Sequence, residues 1–251
     1  MNSDEKDAVA ERFGVAAEQV ERDHLISHLL AFLGREFGDR IHFIGGTALA
    51  RTHAPDGRLS EDIDLIAVGD RKSLAADMDV ALPRSLARTH GRLILVPPLS
   101  SLPDTHPAVL RTSDGLAVRL QLLSSRDRIL WPTERRSLVQ RYADSPAAEL
   151  SVPTLSAFAA SKTATWVDRH ASRDLWDLWA LNRLGAIDAA AGDLYRRCGP
   201  TNQPPAPHDF ATAPTEAEWR SQLAGQTRLT VSPSEALTAV RNAWARASGP
   251  A

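Results

Sequence analysis

The sequence predicts an α+β fold: a mixed sheet with helices in residues 1–125, followed by a mainly helical region in residues 126–251. Two observations carry this. Short apolar runs bounded by Gly, Pro or Asp alternate with helix-periodic stretches in the first half. The second half holds helical patterns separated by a proline-rich segment at 199–215, read as a linker or extended crossing (Pro200, Pro204, Pro205, Pro207, Pro214).

Taken in order, residues 15–37 place Val20, His24, Leu29 or Leu30, Leu33 and Phe37 at three- and four-residue steps, a helix. Ile41-His42-Phe43-Ile44 is a short strand that ends at Gly45-Gly46, and Thr47 to Arg51 restarts a helix. His53-Ala54-Pro55-Asp56-Gly57 is a loop. Residues 63–68 are almost wholly apolar and predict a buried strand. Helix is expected over 71–90, then strands at 93–96, stopped by Pro97-Pro98, and at 116–123, preceded by Ser113-Asp114-Gly115. In the second half, helices are expected at 155–167 and 173–184, with Ser172 as N-cap, Asp174 in the first turn and Gly185 as terminator. Two more helices follow at 215–223 and 234–247.

Composition restricts the function classes. A hydrophobic fraction of 43% supports a packed core, and a net charge of −2 gives no support to nonspecific nucleic-acid binding, though a local basic surface is compatible with it. No apolar run reaches the ~18 residues that span a bilayer. The polar N-terminus has no signal-peptide pattern, and the single cysteine, Cys198, excludes an internal disulfide framework. A cytoplasmic protein without membrane association is expected.

The chemistry concentrates in two motifs. In Gly45-Gly46-Thr47, two glycines let backbone approach a ligand, the following helix start favours phosphate, and Thr47 adds a hydroxyl. In Arg58-Leu59-Ser60-Glu61-Asp62-Ile63-Asp64-Leu65, Asp62 and Asp64 alternate on a strand and share one face. Two carboxylates so close favour a cation between them, and with phosphate oxygens and water they make a Mg²⁺ shell. Ser60 either bonds a phosphate or caps the strand entry; Arg58 contacts phosphate or is surface charge. Glu61 points away from the pair.

Lys162, Trp166, Arg169 and Arg173 fall on one face at helical spacing. A lysine and two arginines suit a triphosphate; the alternative is a snorkelling lysine with surface arginines. Asp174 is a candidate third acid, and Asp177 a salt-bridge partner. The histidines are scattered, with no zinc spacing to cysteine. The tryptophans read as helix-packing residues. Arg126, Arg128, Arg135, Arg136 and Arg141 cluster in sequence and slightly favour an RNA acceptor.

In combination these residues resemble the AbiEii-type nucleotidyltransferase toxins, which include the MenT toxins, within the DNA polymerase β-like nucleotidyltransferase superfamily. Val20-Glu21-Arg22-Asp23-His24, Phe43 to Leu49, Arg58 to Leu65, and Lys162 through Arg173-Asp174-Leu175-Trp176-Asp177-Leu178 carry the resemblance over about residues 20–185. The resemblance implies that Gly45, Gly46 and Thr47 bind nucleotide phosphates. Asp62 and Asp64 would hold Mg²⁺ (or Mn²⁺), Lys162 would grip the triphosphate of an NTP substrate, and Asp174 would be catalytically important. It also implies transfer to RNA, notably the 3′ end of tRNA, and control by a cognate antitoxin. One departure stands out. Related transferases carry a third carboxylate on a later strand, where this chain reads Val118-Arg119-Leu120-Gln121-Leu122. Asp174, or water and metal, would then supply the base, or the copy is impaired. Two other readings are a transferase for a small hydroxylated molecule such as an antibiotic, and a nucleotide-binding regulator without catalysis.

Overall fold

The computed structural model describes residues 1–126 and 128–247. Two compact units divide the chain: Met1–Pro55, Leu59–Arg128 and Glu134–Val152 form the first, and Asp56–Arg58, Ile129–Thr133 and the chain from Pro153 form the second.

The first unit opens with α1 (Ser3–Phe13), which the sequence reading assigned to no element. An Asn2–Glu5 capping box starts it and Gly14 in the left-handed region ends it. Helix α2 (Ala17–Phe37) is buried over most of its circumference. It is followed by β1 (Ile41–Ile44), α3 (Gly45–Arg51) and β2 (Asp62–Ala67). Helix α4 (Arg71–Ala81) is shorter than the expected 71–90. Pro83, inside a 3₁₀ turn at Leu82–Arg84, has no N–H to continue the helix. Strands β3 (Ile94–Val96), β4 (Ala108–Arg111) and β5 (Ala117–Ser124) follow, and then β6 (Thr133–Ser137) and β7 (Glu149–Pro153).

All seven strands form one mixed sheet in the order β3-β4-β5-β2-β1-β7-β6. Central β2 runs antiparallel to β1 and parallel to β5. Its inward residues Ile63 and Leu65 are fully buried, as are Leu120 and Leu122 on β5. The α+β class is therefore the observed one. Strands β4, β6 and β7 were not anticipated. Sequence Thr-Glu-Arg-Arg-Ser in β6 has no apolar alternation because it is an edge strand, where charge suppresses further pairing.

Within the second unit, α5 (Leu155–Arg169), α6 (Ser172–Arg183), α7 (Ala189–Cys198), α8 (Glu216–Leu223) and α9 (Pro233–Ala247) pack as a helical body. Trp176 packs against Trp179 and Trp219, and Tyr195 against Trp244, so these rings are packing residues as expected. Helix α6 ends as anticipated: Gly185, at φ +70°, donates to the Asn182 carbonyl and Ala186 to that of Leu181. Its start differs. Ala171 is the N-cap and Ser172 is already helical, its buried hydroxyl without a hydrogen-bond partner among the described residues.

Candidate active site

In the first unit the glycine turn and the carboxylate pair meet. Strands β1 and β2 pair so that Ile44 stands opposite Asp64. The chain then turns at Gly45, whose φ of +81° disfavours any side chain. A Cβ there would also collide with Oδ2 of Asp64. The Asp64 carboxylate thus adds a close approach to a backbone conformation that already favours glycine. Thr47 is buried and its hydroxyl donates to the carbonyl of Asp62, tying α3 to the start of β2. Gly46 and Ser60 are both buried.

Asp62 and Asp64 alternate on β2, as the Asp-Ile-Asp pattern predicts, and both are partly exposed while Ile63 is fully buried. Asp62 lies 3.7 Å from the guanidinium of Arg119, a loose pairing with a largely exposed side chain. On neighbouring β5, Gln121 is in register with Asp64 and Arg119 with Asp62. Residues in register on adjacent strands share a face. Gln121 therefore occupies the strand position beside the pair, and its amide donates to the Asp104 carbonyl at 3.3 Å. Two hard carboxylate oxygens next to a glycine backbone suit Mg²⁺ or Mn²⁺ better than a softer ion.

A second group forms within the helical unit. Lys162 of α5 is buried and contacts Asp177 at 2.6 Å and Asp174 at 3.3 Å. Arg169 closes on Asp174 with two bonds of 2.7 and 3.1 Å. Arg58 makes a two-pronged pair with Asp177 at 2.9 and 3.0 Å and donates to Gln226 at 2.6 Å. Arg58 is therefore not surface charge. Three cations share two buried carboxylates, which is what allows those carboxylates to be buried at all. Burial pushes both carboxyls up, but the cations outweigh it. Arg58 and Lys162 hold Asp177 at about 2, and Lys162 and Arg169 hold Asp174 below the usual carboxylate range. Arg173 is half-buried and takes no part in this network.

The arginine cluster at 126–141 is not a bare basic surface. Arg128 lies 3.5 Å from Asp104, Arg135 bonds Asp39 and Glu149, and Arg136 bonds Glu134. Arg141 is buried against Asp23. Sequence reasoning also missed a meeting of histidines: His24, His28 and His90 come together with Asp144. The signal available was the four-residue spacing of His24 and His28 on a helix.

The family described as "Nucleotidyl transferase AbiEii toxin, Type IV TA system" matches residues 29–245. The chain belongs to the AbiEii nucleotidyltransferase toxin family. It is thus a nucleotidyltransferase toxin of a type IV toxin–antitoxin system, a family that implies a cognate antitoxin. The fold is similar to that of MenT4, a nucleotidyltransferase toxin from Mycobacterium tuberculosis H37Rv. That match has a TM-score of 0.68 at 22% identity and covers 98% of this chain and 90% of MenT4. An antigenic nucleotidyltransferase-like protein from Paracoccidioides brasiliensis aligns more weakly. Its TM-score is 0.42 at 15% identity, over 63% of this chain and 76% of that one. No curated protein matches the sequence significantly. Among the described residues of this AbiEii-family chain, no helix is long and apolar enough to cross a membrane.

Proposed function

We propose that this toxin transfers a nucleotidyl group from an NTP to the 3′ end of tRNA in the cytoplasm, with Asp62 and Asp64 holding Mg²⁺, or Mn²⁺ in its place. The observation that carries the reading is the pair itself: two carboxylates alternating on β2, one packed against a glycine whose conformation disfavours a side chain. A divalent ion on that pair, when bound, neutralises triphosphate charge and favours ionisation of the attacking hydroxyl. In the reaction the RNA hydroxyl oxygen bonds to the α-phosphorus and gives up its proton, the α–β bridging bond breaks, and pyrophosphate leaves. Gly45, Gly46 and Ser60 bind phosphate in this proposal, while Thr47 holds the strand that carries the pair. Lys162, Arg169 and Arg173 supply positive charge for the triphosphate. Asp174 acts as a positioning residue for Lys162 and Arg169 rather than as a base. A carboxylate held below its usual range by two cations is a poor proton acceptor.

The experiment is incubation with each labelled NTP, Mg²⁺ and total tRNA, with an aminoglycoside as the competing acceptor. Label in tRNA supports the proposal; label in the small molecule alone replaces the acceptor. Gln121 beside Asp64 favours one second reading, a nucleotide-binding regulator, which predicts NTP binding without turnover on either acceptor.

A further inference from the structure

We propose that His24, His28 and Asp144 form a second cation site, one for a Zn²⁺-type transition metal, separate from Asp62 and Asp64. All of its residues lie in the first unit. The donor atoms are already gathered: His24 Nε2 lies 3.0 Å from Asp144 Oδ1 and 3.2 Å from His28 Nε2, and His28 Nε2 lies 3.9 Å from Asp144 Oδ1. A tetrahedral ion with metal–nitrogen bonds of about 2.0–2.1 Å has donors about 3.3 Å apart. The three atoms therefore trace one face of such a tetrahedron.

The surrounding structure holds the donors in place. His24 and His28 are one turn apart on α2 and so project together. Tyr142 donates to Asp23 at 2.9 Å and sets its ring edge-on to His24, fixing the turn that brings Asp144. Asp144 also takes the Met1 amine.

His90 supplies the orienting contact. The tautomer that frees His24 Nε2 for an ion is the one in which His24 Nδ1–H donates to His90 Nε2 at 3.2 Å, with His90 Nδ1 3.0 Å from the Thr89 hydroxyl behind it. His24 Nε2 is then a bare lone pair aimed at a carboxylate and at a second imidazole. An ion among the three takes that lone pair together with those of His28 and Asp144. A cavity of about 490 Å³, lined in part by His28, Arg84, Thr89 and Pro146, adjoins the cluster on the His28 side. Imidazole nitrogens prefer Zn²⁺ to Mg²⁺, so the ion here differs from that at an all-carboxylate site.

The test is a Zn²⁺ titration of the metal-stripped full chain in excess Mg²⁺, which saturates carboxylate-only sites, followed by the spectrum with Co²⁺ in place of Zn²⁺. One Zn²⁺ per chain is expected, with the visible bands of a four-coordinate Co²⁺ form. Asp144→Asn and His28→Gln should each weaken binding ~10-fold or more. Asp62→Asn should leave it unchanged, which separates this site from the proposed transferase site. Asp144 is half-exposed on a turn, so its variant keeps the test valid if His28→Gln fails to fold. Failure of Zn²⁺ to bind in excess Mg²⁺, or unchanged affinity in Asp144→Asn, would overturn the proposal.

Discussion

Asp64 on β2 and Gln121 on β5 stand in register on neighbouring parallel strands. The position beside the carboxylate pair is therefore filled by a neutral amide, which neither adds charge to a metal site nor accepts a proton at neutral pH. Asp64→Asn is expected to lower nucleotidyl transfer ~10²-fold or more, as loss of a group stabilising transition-state charge does. Gln121→Ala should cost less than ~10-fold, because no proton transfer is lost with it. Single-turnover rates on the two variants check this. Equal losses would assign Gln121 a direct part in the chemistry.

Gly45 and Asp64 are coupled by contact. In Gly45→Ala the new methyl meets the Asp64 carboxylate in a backbone conformation that already disfavours it. Strain of about 1–3 kcal/mol is expected. Mg²⁺ affinity should fall with it, since Asp64 must move. Denaturant unfolding and Mg²⁺ titration measure the two effects. A variant with wild-type stability and metal affinity would show that the turn has room.

Asp23 anchors a buried charge cluster in the first unit. It accepts from Arg51 at 2.8 Å, from Arg141 at 3.2 Å and from Tyr142 at 2.9 Å. Burial lowers the Arg51 guanidinium to about 10 despite this carboxylate. Asp23→Ala strands two buried guanidiniums, and the expected destabilisation is about 3–5 kcal/mol. Urea unfolding at constant pH gives the figure, and a loss under ~1 kcal/mol would mean that the arginines find water.

The pair of Asp177 with Arg58 and Lys162 sets an acid limit. Its folded carboxyl sits near 2, below the ordinary aspartate value of 3.8. A lowered folded value stabilises the protein above the unfolded value and is lost as pH falls through the folded one. The contribution, on the order of 2 kcal/mol, should be complete above about pH 5 and vanish between about pH 4 and pH 2. Asp177→Asn should flatten the stability profile in that window. An unchanged profile would transfer the acid sensitivity to other carboxylates.

The legible parts of the chain were those where a local pattern had one physical meaning. Asp62-Ile63-Asp64 reads as a strand with carboxylates on one face and a buried isoleucine on the other, and it is one. Gly45 was readable as a turn, although its dependence on Asp64 comes from strand pairing. The end of the tryptophan-rich α6 at Gly185 was equally local, whereas its start at Ala171 was not. Strand β6 was not legible, because a charged edge strand has no alternation to detect. Arg58 left its options open because its partner Asp177 lies 119 residues away. The same separation hid the histidine cluster, where Asp144 is 120 residues from His24. Lys162 stood out by helical spacing with Arg169, and Asp174 separately as a candidate third acid. Their burial in a five-residue ion network follows from tertiary packing alone.

The most direct test is transfer of label from an α-labelled NTP to purified tRNA by the wild-type chain and by Asp64→Asn at matched folding. The account predicts labelled tRNA that depends on Mg²⁺ or Mn²⁺ for the wild type and none above background for the variant. Equal labelling by the two proteins, or labelling that survives chelation of the metal, would contradict it.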